Sequence, residues 1–282
     1  MAQLQQTIGF IGSGNMAAAM IGAIIRAGLF APAEILASDV LAERRRWISA
    51  THGIAAVEDN AEIFRRSDIV VLAVKPQMMA QALAPVAENP GRGFDRKLII
   101  SIAAGIRLER LEGLLYPSLA PEDCSRLPII RVMPNTPALV LAGVSGMSPN
   151  RHTSPADIDT ARRILGAMGQ VLEFPEAALD GVTALSGSGP AYVFYFIESM
   201  ARAGEALGFD RGTSAGLTRA TFEGALKLLS ETGEEPAELR RRVTSPGGTT
   251  EAALRVLEEK QVDRHIIDAV AAAARRSKEL SV

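Results

Sequence analysis

The sequence predicts an α/β protein in which an N-terminal doubly wound sheet is followed by an all-α C-terminal domain. Three observations predict it. Short β-like runs alternate with helical stretches over residues 1–174, which implies right-handed βαβ units. Two of the runs, Asp68–Val74 and Lys97–Ile102, are apolar without alternation, as central parallel strands buried on both faces are. From residue 175 to residue 282 no convincing strand remains.

Taken in order, Ile8–Gly12 is the first strand and Asn15–Ala27 the helix that follows it. Ile35–Asp39 is a second strand, and the arginine-rich stretch behind it reads as a helix. After the two apolar strands come Ile129–Met133, Gly143–Ser148 and Gln170–Phe174. The C-terminal part reads as five helices, Pro190–Leu207, Gly212–Glu231, Glu235–Val243, Thr250–Lys260 and Val262–Leu280. The run Tyr192–Ile197 is apolar over most of a helical circumference, which predicts a buried helix. So small a domain would struggle to bury it alone, so a partner subunit is the expected cover.

Composition narrows the function. Hydrophobic residues are 48% and charged residues 22% of the 282, the balance of a globular chain. Thirty basic against 32 acidic residues leave a formal charge of −2, without the basic surplus that nucleic-acid binding asks for. One cysteine, Cys124, excludes an intramolecular disulfide, and with three scattered histidines it argues against a metal site. Charges, Pro or Gly interrupt every apolar run before it reaches membrane-spanning length, and the first residues do not read as a signal peptide. The expectation is a soluble, cytoplasmic protein with no membrane partner.

The first strand runs into Gly12-Ser13-Gly14-Asn15-Met16-Ala17, a G-x-G-x-x-A pattern between a strand and a helix. Gly12 permits the tight turn, Gly14 lets backbone approach a pyrophosphate, and Ala17 lets the helix pack close to the strand. The helix start offers amides and the positive dipole end to the phosphates. This predicts a Rossmann-like dinucleotide site. Asp39, at the end of the second strand, stands where a carboxylate would hold a ribose hydroxyl and favour NAD. Ser38 and Arg44-Arg45-Arg46 could instead hold the extra phosphate of NADP, although at least one of these arginines reads as a solvated helix face. Ala73-Val74-Lys75-Pro76 and Ser101-Ile102-Ala103-Ala104-Gly105 follow strands at the sheet edge where ligands bind. Lys75 is expected beside the cofactor and not as an acid.

These motifs, with Met133-Pro134-Asn135-Thr136-Pro137, Ser186-Gly187-Ser188-Gly189-Pro190-Ala191-Tyr192 and Val243-Thr244-Ser245-Pro246-Gly247-Gly248-Thr249-Thr250, occur in the order found in one family. Over essentially its whole length the sequence resembles pyrroline-5-carboxylate reductase. The resemblance implies reduction of the C=N bond of 1-pyrroline-5-carboxylate to L-proline, the last step of proline biosynthesis. It implies NADPH as the preferred nucleotide, with NADH possible. It also implies a dinucleotide domain over 1–174 and a helical dimerisation and substrate domain over 175–282, with dimers assembled into a decamer. The implied nucleotide set is Ile11, Gly12, Ser13, Gly14, Asn15, Met16, Ser38, Asp39, Arg44, Asn60, Ala73, Val74, Lys75, Pro76, Ala103, Ala104 and Gly105. The implied substrate set is Ser245, Gly248, Thr249, Thr250, Ser188 and Asn135, with Ser245, Gly248 and Thr249 on the carboxylate and Thr250 at the ring nitrogen as proton donor or relay.

Physical reading adds to this. Ser245–Glu251 is a glycine-containing loop entering a helix, and such amides suit a carboxylate. Thr249 or Thr250 could equally cap that helix, and Ser188 or Ser186 could cap the helix begun by Pro190. Glu251 is expected to complement the helix dipole. Two rivals are a β-hydroxyacid dehydrogenase and a non-catalytic nucleotide sensor on the same fold. The first needs an asparagine after a catalytic lysine, and residues 151–282 contain no asparagine. Retention of both C-terminal loops argues against the second.

Overall fold

The structure is a computed structural model that describes residues 3–88 and 95–281. Strands β1 (Ile8–Ile11), β2 (Ile35–Ser38), β3 (Ala55–Val57), β4 (Ile69–Leu72), β5 (Leu98–Ser101), β6 (Ile129–Met133), β7 (Gly143–Pro149) and β8 (Gly169–Glu173) form one sheet. Its order is β3-β2-β1-β4-β5-β6-β7-β8. Pairing is parallel except between β6 and β7, which run antiparallel. That reversal departs from a wholly parallel sheet. The connection Pro134–Ala142 is a short turn, and a parallel return needs roughly a dozen residues or more. β3 was not foreseen: three residues, none of them buried, leave no periodic signal.

The uninterrupted apolar runs behave as expected. β1, β2, β4 and β5 are buried at every position, and their alternate residues feed two cores. Phe10, Ala37, Val71 and Ile100 face α1 (Asn15–Arg26), α2 (Ala42–His52) and α6 (Pro155–Gly166). Ile11, Leu36, Val70 and Ile99 face α3 (Asn60–Arg66), α4 (Met79–Glu88) and α5 (Leu108–Leu115). Period-2 alternation within a strand that is apolar throughout therefore loads both faces.

The remaining helices are α7 (Leu179–Val182), α8 (Gly189–Ala206), α9 (Arg211–Thr232), α10 (Pro236–Arg242), α11 (Thr249–Glu259) and α12 (Val262–Leu280). The last five fall within two residues of the expected helices. A π-turn over Thr183–Gly187 joins α7 to α8. The chain forms two compact units, Met1–Gly187 with Ala274–Val282, and Ser188–Ala273. The sheet unit thus extends past the textural change at 174, because Leu179 and Val182 pack over Gly146 of β7. In the helical unit α8 buries no residue within one chain: Phe194 is 65% and Tyr195 64% exposed, on the helix for which the sequence expects a partner subunit as cover. Among the described residues no helix is long and apolar enough to cross a membrane, and no group of metal-ligating side chains is clustered.

One ion pair ties α6 to the start of β5. Asp157 accepts from Arg96 Nη1 at 2.7 Å and Nη2 at 2.5 Å, and from the amide and hydroxyl of Ser154, the N-cap of α6. Burial pushes the Asp157 carboxyl up, but the hydrogen bonds from Arg96 and Ser154 outweigh it and hold the group below the usual range. A depressed folded value adds stability above the unfolded value of about 3.9, and that stability is lost as pH falls through the folded one. Thermal melts between pH of about 5 and 3 should therefore fall more steeply for the native protein than for Asp157→Asn. Parallel curves would contradict the assignment.

Candidate functional site

The sheet order changes direction between β1 and β4, and the first glycine turn sits at that point. Gly12 has φ +98°, and a Cβ there would stand 2.9 Å from the carbonyl carbon and oxygen of Ala73. The turn therefore crosses the end of β4 at a distance only a glycine allows. Its backbone is held on both sides: Gly12 N–H donates to Ser38 O at 2.9 Å, and Ala73 N–H donates to Ile11 O at 2.8 Å. Around Gly14 no atom of the described residues lies within 4 Å of where a Cβ would stand, so the backbone is open to close approach. Gly14 is also the N-cap of α1, which directs the helix's free amides to the same place.

Beside the turn lies a cleft of about 440 Å³. Gly12, Gly14, Asp39, Asn60, Ala73, Val74 and Lys75 line it, so seven residues of the expected nucleotide set come together. Ile11 and Ser13 are buried beneath the turn. Asn15 and Met16 begin α1, Pro76 continues the loop from Lys75, and Ala103–Gly105 follow β5. The cleft also takes in Val40, Met78, Gln81, Ala82 and Pro85, which the sequence reading did not single out. Glu58 and Asp59 were missed as well. They directly precede Asn60 and follow β3, which leaves no pattern in the sequence to point to them.

Several polar groups of the expected nucleotide set also hold the loop. Asp39 Oδ2 accepts from the amide of Ser13 at 3.0 Å and from its hydroxyl at 2.8 Å, while Oδ1 accepts from Leu41 N–H at 3.0 Å. Ser38 is fully buried and donates to Asn60 Oδ1 at 2.7 Å; Asn60 Nδ2 in turn donates to Ala82 O at 3.0 Å. Arg44 donates to Ser13 O and stacks on Trp47, 4.6 Å from its ring centre. Arg45 is spent on Asp39 O, Val40 O and Glu58.

In the sheet unit Asn135 has every amide group paired. Its Nδ2 donates to Ser186 Oγ at 3.1 Å and Ser186 O at 3.3 Å, and its Oδ1 accepts from Val144 N–H at 2.8 Å. It therefore pins the Met133–Pro137 loop to the π-turn that leads toward Ser188. Ser188 itself has helical backbone angles and makes no capping bond, because the π-turn delivers the chain into α8 already helical.

In the helical unit the loop Thr244–Gly248 leads into α11. Gly248 is its N-cap, so neither Thr249 nor Thr250 caps the helix. Gly247 N–H donates to Glu251 Oε2 at 2.8 Å, which closes the loop from the first helical turn. Glu251 thus braces the loop as well as lying at the dipole end. Among the described residues neither threonine hydroxyl has a hydrogen-bond partner, and the first-turn amides of α11 lack intrahelical acceptors. The loop can therefore offer several N–H donors and two free hydroxyls to a small anion.

The turn geometry makes a direct test available. Gly12→Ala would combine a left-handed φ with a backbone clash, costing about 1–3 kcal/mol. Nucleotide titration should show at least a roughly tenfold loss of affinity for NADPH and NADH alike. Unchanged affinity would mean that no dinucleotide uses this turn.

Comparison with known proteins places these features. The family model for pyrroline-5-carboxylate reductase dimerisation matches residues 176–280, and one for an NADP oxidoreductase, coenzyme F420-dependent, matches residues 7–105. The chain is 45% identical to a pyrroline-5-carboxylate reductase of Pseudomonas aeruginosa over 97% of this chain and 96% of that one. It is 41% identical to one of Methanosarcina acetivorans over 98% of each. Among solved structures, a pyrroline-5-carboxylate reductase of Coxiella burnetii superimposes with a TM-score of 0.88 at 34% identity, covering 99% of this chain and 100% of that one. A Plasmodium falciparum pyrroline carboxylate reductase with NADP bound does so with 0.84 at 28% identity over 100% of each. With a glycine turn at the sheet's switch point, an amide-bearing loop before α11 and relatives matched over nearly their full length, the chain belongs to the pyrroline-5-carboxylate reductase family.

Proposed function

We propose that this protein reduces the C=N bond of 1-pyrroline-5-carboxylate to give L-proline, using NADPH with NADH as a second donor. That is an oxidoreductase reaction on a CH–NH bond and the last step of proline biosynthesis. Family membership supports the reaction. The observation that carries it within this chain is the loop before α11, with free amides and the hydroxyls of Thr249 and Thr250, unpartnered among the described residues. The β-hydroxyacid reading needs an asparagine after a catalytic lysine, and residues 151–282 contain none.

The nucleotide fits the residues present: the Gly12 crossing and the open backbone at Gly14 form a cradle that a side chain would fill. Gly12, Gly14, Asn15 and Met16 would hold its pyrophosphate, Asp39, Asn60 and Arg44 its adenosine end, and Ala73–Pro76 with Ala103–Gly105 its other half. When bound, it supplies a hydride to the imine carbon. The protein's part is to hold the carboxylate through Ser245, Gly248 and Thr249, and to bring the Thr250 hydroxyl to the ring nitrogen. As carbon takes the hydride, the nitrogen becomes an amine and takes a proton. Thr250 has no acidic proton of its own to surrender, so it relays one from water while its oxygen keeps the nitrogen oriented. Asn135 and Ser188 complete the substrate set that family membership suggests.

The functional division runs near 174, with the substrate and dimerisation part behind it. The exposed face of α8, with Val193, Phe194, Tyr195 and Met200, is the apolar area that a second copy covers. We assign a homodimer as the building block and a decamer as the assembly, in the cytoplasm.

Loss of NADPH absorbance on adding pyrroline-5-carboxylate tests the reading. A sensor would bind nucleotide without turnover, and a β-hydroxyacid enzyme would ignore the imine. Thr250→Ala should lower kcat roughly 10- to 100-fold, the worth of one hydrogen bond to a charged group, and leave nucleotide affinity intact. Full activity in that variant would remove the relay. Arg44→Ala should weaken NADPH more than NADH if its guanidinium also serves the extra phosphate. Equal losses would confine it to the Ser13 carbonyl and the Trp47 face.

A further inference from the structure

We propose that Asp180, together with Glu176, is a positioning residue for the dinucleotide: the two carboxylates anchor the loop between β5 and α5 and so set the backbone of Ala103–Gly105. The proposal rests on the reading of Ala103–Gly105 as part of the nucleotide site. It adds two residues that the motifs did not point to.

Glu176 and Asp180 are four residues apart on the short helical segment that ends in α7, a spacing that puts both on one face. Both reach the same connection. Glu176 Oε1 accepts from Leu108 N–H, the first amide of α5, at 2.7 Å, and from Arg131 Nη1 of β6 at 3.0 Å. Arg107, the residue before it, lies 3.9 Å from Asp180 Oδ2. Asp180 Oδ1 accepts from Ser277 Oγ at 2.7 Å, and Ser281 Oγ lies 3.2 Å away. The last turn of α12 is thereby drawn onto the loop. Gly105 has φ +77°, and a Cβ there would stand 3.1 Å from Leu280 O, so loop and tail are in contact.

Asp180 is only 5% exposed. A buried carboxylate with its nearest cation at that distance gains little in stability over an apolar side chain of similar size. What it supplies is geometry: one oxygen holds the tail, the other faces the loop. The loop needs that help, because Ala103, Ala104 and Gly105 have no side chains long enough to anchor themselves. A ligand that reads backbone at this place depends on neighbours to fix it, because a loop left unordered must be ordered on binding, and that cost is taken from affinity.

The experiment pairs amide hydrogen exchange with nucleotide titration on the full chain. Asp180→Ala should raise exchange in residues 102–108 and 277–281 together. It should also weaken NADPH and NADH to a similar extent, by about fivefold or more, with the KM for the imino acid unchanged. Asp180→Asn keeps an acceptor for Ser277 but loses the charge facing Arg107, and should fall between. Ser277→Ala, a milder change should Asp180→Ala not fold, should move the same observables in the same direction. Unaltered exchange in 102–108, or raised exchange with unaltered nucleotide affinity, overturns the proposal. A rise in imino-acid KM alone would do so as well. Binding of nucleotide without reduction of the imine would refute the proposed reaction and leave this inference standing.

Discussion

The crossing of the first glycine turn over the end of β4 is the constraint on which the rest of the site depends. At Gly12 the chain passes so close to the Ala73 carbonyl that no side chain fits, and it does so with a backbone angle that other residues avoid. That passage lets α1 start directly above the sheet edge. It also sets Gly14 in open space, and it brings the loops after β1, β2 and β4 to one cleft. A strand order that changes direction here supplies the gap.

Around that turn, polar groups mostly hold one another. The Asp39 carboxylate takes three donors, two from Ser13 and one from Leu41; Ser38 holds Asn60, and Arg44 holds the Ser13 carbonyl. The same pattern recurs at Asn135, whose amide groups are all spent on Ser186 and Val144. Loops fixed in this way have little ordering left to do when a ligand arrives, and preorganisation of that kind is where affinity is gained. Thr249 and Thr250 are the contrast. A glycine caps their helix and Glu251 closes the loop, so neither hydroxyl has a hydrogen-bond partner among the described residues.

Much of this was legible in the sequence, because it is local. The alternation of apolar runs and helical stretches is written in side-chain periodicity, so seven strands and the helices of the C-terminal part could be read directly. The glycine turn could be read too, since its three small residues each answer a separate steric demand. By contrast β3 was too short and too exposed to leave a pattern, and Ser188 looked like a helix cap although a π-turn precedes it.

What the sequence by itself determined was which segments become strands and helices, where the small residues fall between them, and which family the order of motifs resembles. Tertiary structure alone decided the antiparallel course of β7, the bracing of the first turn by Asp39, and the meeting of Glu176, Asp180 and Ser277 around the loop after β5. The physical reason is range. Periodicity and turn chemistry act over a few neighbouring residues. Asp180 and Ser277 are 97 positions apart and become partners only when the whole sheet unit has closed. The apolar run of α8 was plain in sequence, with a partner subunit as its expected cover, and the fold leaves it exposed within one chain.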